Sequence, residues 1–74
     1  MDKHYYDRGI RDYSEAIRLD PSNAFYLSYR GMALFLKHDY DGAYRDFDAA
    51  IRLDPTLESA YSGRRAAWSA KMRR

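Results

Sequence analysis

The side chains of this 74-residue chain that could do chemistry are two histidines, six serines and eleven carboxylates; cysteine is absent. His4 and His38 stand thirty-four positions apart. To hold a metal they would have to converge with carboxylates such as Asp2 or Asp39 within coordination distance. Equivalent residues on stacked helices stand about 10 Å apart instead, the ordinary helix-packing distance, so the two are not expected to converge. Ser14, Ser22, Ser28, Ser59, Ser62 and Ser69 include no G-x-S-x-G elbow, and neither histidine is placed to activate them. Gly9, Gly31, Gly42 and Gly63 are isolated and make no phosphate loop. Without cysteine there is neither a thiol nucleophile nor a thiolate metal site. Asp7, Asp12, Asp41, Asp46 and Asp48 lie among arginines at helical spacing, the pattern of a solvated, salt-bridged face. No catalytic, metal or cofactor site is expected, and the chain does not read as an enzyme.

The elements that would position these residues come in copies. Ile17-Arg18-Leu19-Asp20-Pro21 returns unchanged as Ile51-Arg52-Leu53-Asp54-Pro55, and residues 6–21 laid on 40–55 agree at ten of sixteen places. A period of thirty-four residues is the mark of a stacked repeat array. Such an array offers a surface rather than a catalytic cleft.

The spacing predicts four helices in one domain, residues 1–74. In the first, residues 5–19, Tyr6, Ile10, Tyr13 and Ile17 recur at three- and four-residue steps. Asp20-Pro21 ends it, because proline lacks the N–H and pushes the residue before it out of the α region. Ser22 and Asn23 are N-cap candidates for a second helix, residues 23–37, with Leu27, Gly31 and Leu34 on one side. Asp39 can cap the third, residues 40–53, whose inner stripe includes Tyr40, Ala43, Tyr44, Phe47 and Ala50. Thr56 is the expected cap of the fourth, residues 57–72, with Tyr61 and Trp68 on one face. Connections this short force consecutive helices antiparallel. The tyrosines Tyr6, Tyr13, Tyr40, Tyr44 and Tyr61 fall at core spacing.

The net charge of +2 hides an asymmetry. Residues 1–63 carry a balance of −3, whereas Arg64, Arg65, Lys71, Arg73 and Arg74 give the last eleven residues +5. Cations there suit the negative end of a helix dipole, or form a docking patch for phosphate or an acidic protein. Five charges are a small footprint for a nucleic-acid binder. No apolar run approaches the roughly 20 residues that cross a bilayer, and residues 2–6 show no secretory signal. A soluble cytoplasmic chain is the expectation.

Residues 24–55 resemble the tetratricopeptide repeat (TPR) family, whose unit is a thirty-four-residue helix–turn–helix. Leu27, Gly31, Leu34, Ala43, Phe47, Ala50 and Pro55 fill its signature places, and Tyr40 matches the aromatic that opens its second helix. Residues 5–21 resemble a second helix, with Gly9, Tyr13, Ala16 and Pro21 in place. Residues 57–72 resemble a first helix, with Arg65 where the family has glycine. The resemblance implies an all-α fold of four antiparallel helices stacked as a short right-handed superhelix. The two histidines would then sit in a tight turn where the family usually has glycine.

By the resemblance the concave surface would be lined by Phe25, Ser28, Met32 and Phe35, then by Ser59, Ser62, Ala66 and Ser69. The first quartet would either anchor a peptide or patch the edge of a small core. The family's carboxylate clamp needs lysine, asparagine and arginine there and is not carried over. The expected function is a non-catalytic protein–protein interaction or assembly module for a peptide or protein segment. The alternatives are an anion- or RNA-binding module using the basic last helix, or a piece of a longer repeat array. Open apolar strips on the first and last helices further suggest self-association, as a homodimer rather than an open stack.

Overall fold

Two Asp-Pro pairs and one turn after Leu36 cut the chain into helices. The computed structural model describes residues 3–73, with side chains from Tyr5 onward. Asp2, Arg74 and the side chain of His4 lie outside the described residues. The helices are α1 (Lys3–Leu19), α2 (Ala24–Leu36), α3 (Tyr40–Leu53) and α4 (Glu58–Arg73), with no strand among the described residues.

The caps explain the boundaries. Asn23 is extended, and its side-chain oxygen accepts the N–H groups of Phe25 and Tyr26 at 3.0 and 3.3 Å. The Asp39 carboxylate accepts the N–H of Gly42 at 3.0 Å and starts α3. Thr56 does not cap α4. Its N–H and hydroxyl both donate to Asp54, at 3.1 and 2.6 Å, and Leu57 stands between it and the helix. Those two bonds, the hydroxyl's first, hold the Asp54 carboxyl below its usual range.

Between α2 and α3 the chain reverses at His38, which has φ 71°. Its N–H donates to the carbonyl of Phe35 at 2.9 Å, and that of Asp39 donates to Leu34 at 2.8 Å. This pair of bonds is the Schellman motif, which favours glycine at the left-handed residue because a Cβ crowds the carbonyl there.

Successive helices pack together, and α2 also meets α4, whereas α1 contacts only α2. The slab is thin, 31 × 26 × 14 Å. Its centre is Phe47, 3 % exposed, ringed by the fully buried Ala43, Ala50, Ala60 and Ala67. A Cβ on Gly31 would lie 3.2 Å from the Phe47 ring, and one on Gly63 only 2.4 Å away. Two helices thus lay backbone on one ring, which only glycine permits at Gly63. The expected solvated face needs correcting at Asp46, which is 6 % exposed. Tyr61 is exposed rather than core, and Tyr6, Tyr13, Tyr40 and Tyr44 are half-buried, since a 14 Å slab cannot cover a ring from both sides except at its middle.

Two substitutions separate packing from backbone preference. Alanine is the better helix former by roughly 1 kcal/mol, and a Cβ on Gly9 meets nothing within 4 Å. Gly9→Ala should therefore raise the melting temperature, while Gly63→Ala, which must push Phe47 aside, should lower stability by about 1–3 kcal/mol. Thermal denaturation followed by circular dichroism reads both; equal shifts of the same sign would refute the clamp around Phe47.

His38→Gly should stabilise the protein by about 0.5–1 kcal/mol, because the left-handed cost of roughly 1–2 kcal/mol exceeds glycine's entropy. A lower melting temperature would mean that the His38–Tyr40 ring contact, 5.8 Å between centroids, outweighs that relief.

Candidate interaction surface

The outer face of α2 is the most apolar exposed strip of the described chain. Phe25, Tyr29, Met32 and Leu36 are 45–54 % exposed. They recur at steps of four, three and four, which aligns them along one side of the helix. Of the four residues expected from sequence, Phe25 and Met32 are on this strip and two are not. Ser28 is buried, 6 % exposed, beside Ala24, Leu27 and Gly31. Phe35 is half-buried against the core, its ring 5.3 Å from that of Tyr40. The lines 25-28-32-35 and 25-29-32-36 share two residues and both fit helical spacing. The resemblance points to the first line, whereas the exposed one also takes in Tyr29 and Leu36.

The other expected residues, Ser59, Ser62, Ala66 and Ser69, are all exposed on α4. They are small and offer little apolar area. On the α1 side of the strip an open groove of about 830 Å³ runs between α1 and α2. Tyr6, Gly9, Asp12 and Tyr13 form one wall, and Tyr29 and Met32 the other. Tyr13 and Tyr29 meet across its floor, 5.5 Å between ring centroids.

Ion pairs join the helices beneath this surface. Arg30 of α2 donates to both Asp46 oxygens, at 2.7 and 2.8 Å, and to the Ser14 hydroxyl at 3.1 Å. One side chain therefore ties α1, α2 and α3. The Asp46 hydrogen bonds hold the Arg30 guanidinium above its ordinary range, against the opposite pull of burial. Lys37 pairs with Asp7, joining α2 to α1.

The basic patch is partly spent inside the chain. Arg64 donates to Asp48 at 2.8 Å and lies over the Tyr61 ring, 5.6 Å from its centroid. Lys71 pairs with Asp41 at 2.8 Å and stands 5.9 Å from the centroid of the Trp68 ring. Arg65 and Arg73 are exposed. These four described cations are thus two that brace α4 on α3 and two that face solvent.

No group of three histidines or carboxylates among the described residues could hold a metal ion. None of the described helices is long and apolar enough to cross a membrane.

Residues 24–57 match the tetratricopeptide repeat family model. That match, over one thirty-four-residue unit, and the four helices in hairpin succession support a TPR-type repeat protein. No curated protein matched it. TPR repeats generally mediate protein–protein interaction or assembly.

Two of the inter-helix pairs, Arg30–Asp46 and Arg64–Asp48, should differ sharply in worth. Asp46→Ala strands Arg30 in a site where the pair is only 26 % and 9 % exposed, and should cost roughly 2–4 kcal/mol. Asp48→Ala removes a more exposed partner and should cost less than about 1 kcal/mol. Urea denaturation of both variants reads the difference; comparable losses would deny Arg30 its tying role.

Proposed function

We propose that this protein is a non-catalytic interaction or assembly module. It would act as one helical domain, residues 1–74, in the cytoplasm, holding a peptide or protein segment against its helical surface. The observation that carries the reading is the strip Phe25, Tyr29, Met32 and Leu36, four large apolar side chains each about half exposed on one helix. Scattered exposed apolar residues are ordinary, but a contiguous strip beside a groove is the form an interaction site takes. Aromatic and methionine side chains of this kind anchor an amphipathic helix or an extended peptide. Phe25 and Met32 are the proposed anchors from the concave quartet, Tyr29 and Leu36 extend them, and the small residues Ser59, Ser62, Ala66 and Ser69 form a permissive rim.

A second reading uses α4. A shallow cleft of about 420 Å³ gathers Tyr44, Tyr61, Arg64, Arg65 and Trp68, which could stack on a base or meet an anion. Against it, Arg64 and Lys71 already serve Asp48 and Asp41. Phosphate binding would fall steeply with salt through counterion release, whereas docking on the apolar strip would not. A homodimer would instead pair the open apolar strips of α1 or α4, and sedimentation equilibrium reads it.

Phe25→Ser combined with Met32→Ser should leave the helical circular dichroism intact and cut capture of native partners at least tenfold. Quantitative mass spectrometry of pull-downs with the two chains checks this. Unchanged capture by a folded double variant would remove the site from α2.

A further inference from the structure

We propose that the groove between α1 and α2 is a socket for an amphipathic helix presenting an arginine followed directly by a small residue. This rests on the interaction-module reading and names the chemistry of the partner at that surface.

The chain carries its own template for the occupant. A shift of thirty-four residues lays Gly9, Asp12, Tyr13 and Ala16 on Ala43, Asp46, Phe47 and Ala50. In α3 all four are buried, and α2 lies on two of them. Arg30 grips Asp46 with two hydrogen bonds, and the next residue, Gly31, brings its backbone onto the Phe47 ring. In α1 none of the four is buried, and Asp12 is exposed.

The ion pairs show which side of α1 is in use. Arg30 donates to Ser14 as Arg64 donates to Asp48, and both partners again differ by thirty-four. So α2 stands to α1 as α4 stands to α3. But α3 contacts two such helices, α2 and α4, while α1 contacts α2 alone. The side of α1 that corresponds to the α2-covered side of α3 is the groove, where Gly9, Asp12 and Tyr13 are found. Among the described residues no helix covers it.

Charge and size then select what fits. Asp12 has no ion pair among the described residues, whereas its equivalent Asp46 is held by a fork of two bonds. An incoming arginine meets Asp12 with the same planar match, which lysine cannot reproduce. The following residue falls on Tyr13 as Gly31 falls on Phe47, so it must be glycine or alanine. A flanking apolar side chain would rest on Tyr6 or Met32. The α4 helix of a second copy offers Arg64 but follows it with Arg65, which would collide with Tyr13. In that register a helix of the α2 type is the better occupant, whereas the exposed Arg65-Ala66 pair of α4 would have to dock one residue out of it.

The probe is a labelled peptide of residues 22–38, titrated into the full chain and followed by fluorescence anisotropy. Saturable binding is expected, with a rise in peptide helicity, since an isolated helix this short is marginal in water. Asp12→Asn in the protein should weaken it at least tenfold, as should Arg30→Gln or Gly31→Leu in the peptide. Amide shifts in the labelled protein should stay within α1 and α2; shifts spreading through α3 would mean that the peptide displaces the chain's own α2, and would overturn the proposal. So would absence of binding, or affinity indifferent to Asp12. If Met32→Ser weakens binding and Asp12→Asn does not, the apolar surface stands and the arginine-bearing partner falls. Indifference to both removes the surface as well.

Discussion

Phe47 sets how closely three helices can stand. Its ring lies between the backbones of α2 at Gly31 and of α4 at Gly63, and the approach at Gly63 is closer than any side chain allows. The alanines around it are small for the same reason: Ala43, Ala50, Ala60 and Ala67 are fully buried because the helices are already in contact. Burial of a phenylalanine contributes about 1.5–3 kcal/mol, a large share of what so small a core supplies. The Arg30–Asp46 pair depends on that closeness too. Asp46 is one residue from Phe47 and Arg30 one residue from Gly31, so the approach of backbone to ring brings the guanidinium onto the carboxylate.

The same sequence pattern half a molecule away behaves differently because the clamp is altered. Tyr13 stands in the place of Phe47 and Tyr29 in the place of Gly63. Where α4 lays backbone on a ring, α2 meets Tyr13 ring to ring, 5.5 Å between centroids. Two rings in contact fill more space than a ring and a glycine. Tyr29 is consequently left almost half exposed beside Met32, and the groove opens along that line. The strip is thus particular to α2: Tyr29 stands where α4 has Gly63, and Phe25, Met32 and Leu36 stand where it has Ser59, Ala66 and Ala70.

Much of this was legible in the residues, and the failures have common causes. The four helices, the caps Asn23 and Asp39 and the small places Gly31, Ala43 and Ala50 follow from local rules: proline geometry, side-chain capping and period. Thr56 failed because its N–H and hydroxyl both donate to the Asp54 carboxylate, two residues away, instead of its oxygen accepting an N–H of α4. Asp46 read as solvated because its partner Arg30 is sixteen residues distant and only the packing brings them together. Gly63 reads as an isolated glycine, although Ala60, Gly63 and Ala67 form a small-residue line at helical spacing, because its contact is with Phe47 of another helix. In each case the sequence near the residue was consistent with two environments, and a contact from another helix chose between them.

The thinness of the slab connects fold to function. At 14 Å deep, the structure has room for one layer of large side chains between helices about 10 Å apart. Small residues take the closest contacts, so the large apolar ones are pushed to the faces; Phe47, held in the middle, escapes this. Placing Phe25, Tyr29 and Met32 outside is therefore a consequence of building the core from alanine and glycine. It also means that a partner covering them would lose nothing from the fold, because none of the three stands in the buried cluster. Stability resides in the ring, the alanines and the Arg30–Asp46 pair, apart from the exposed strip and groove proposed for recognition. The two can vary separately, which is what the proposed binding role calls for.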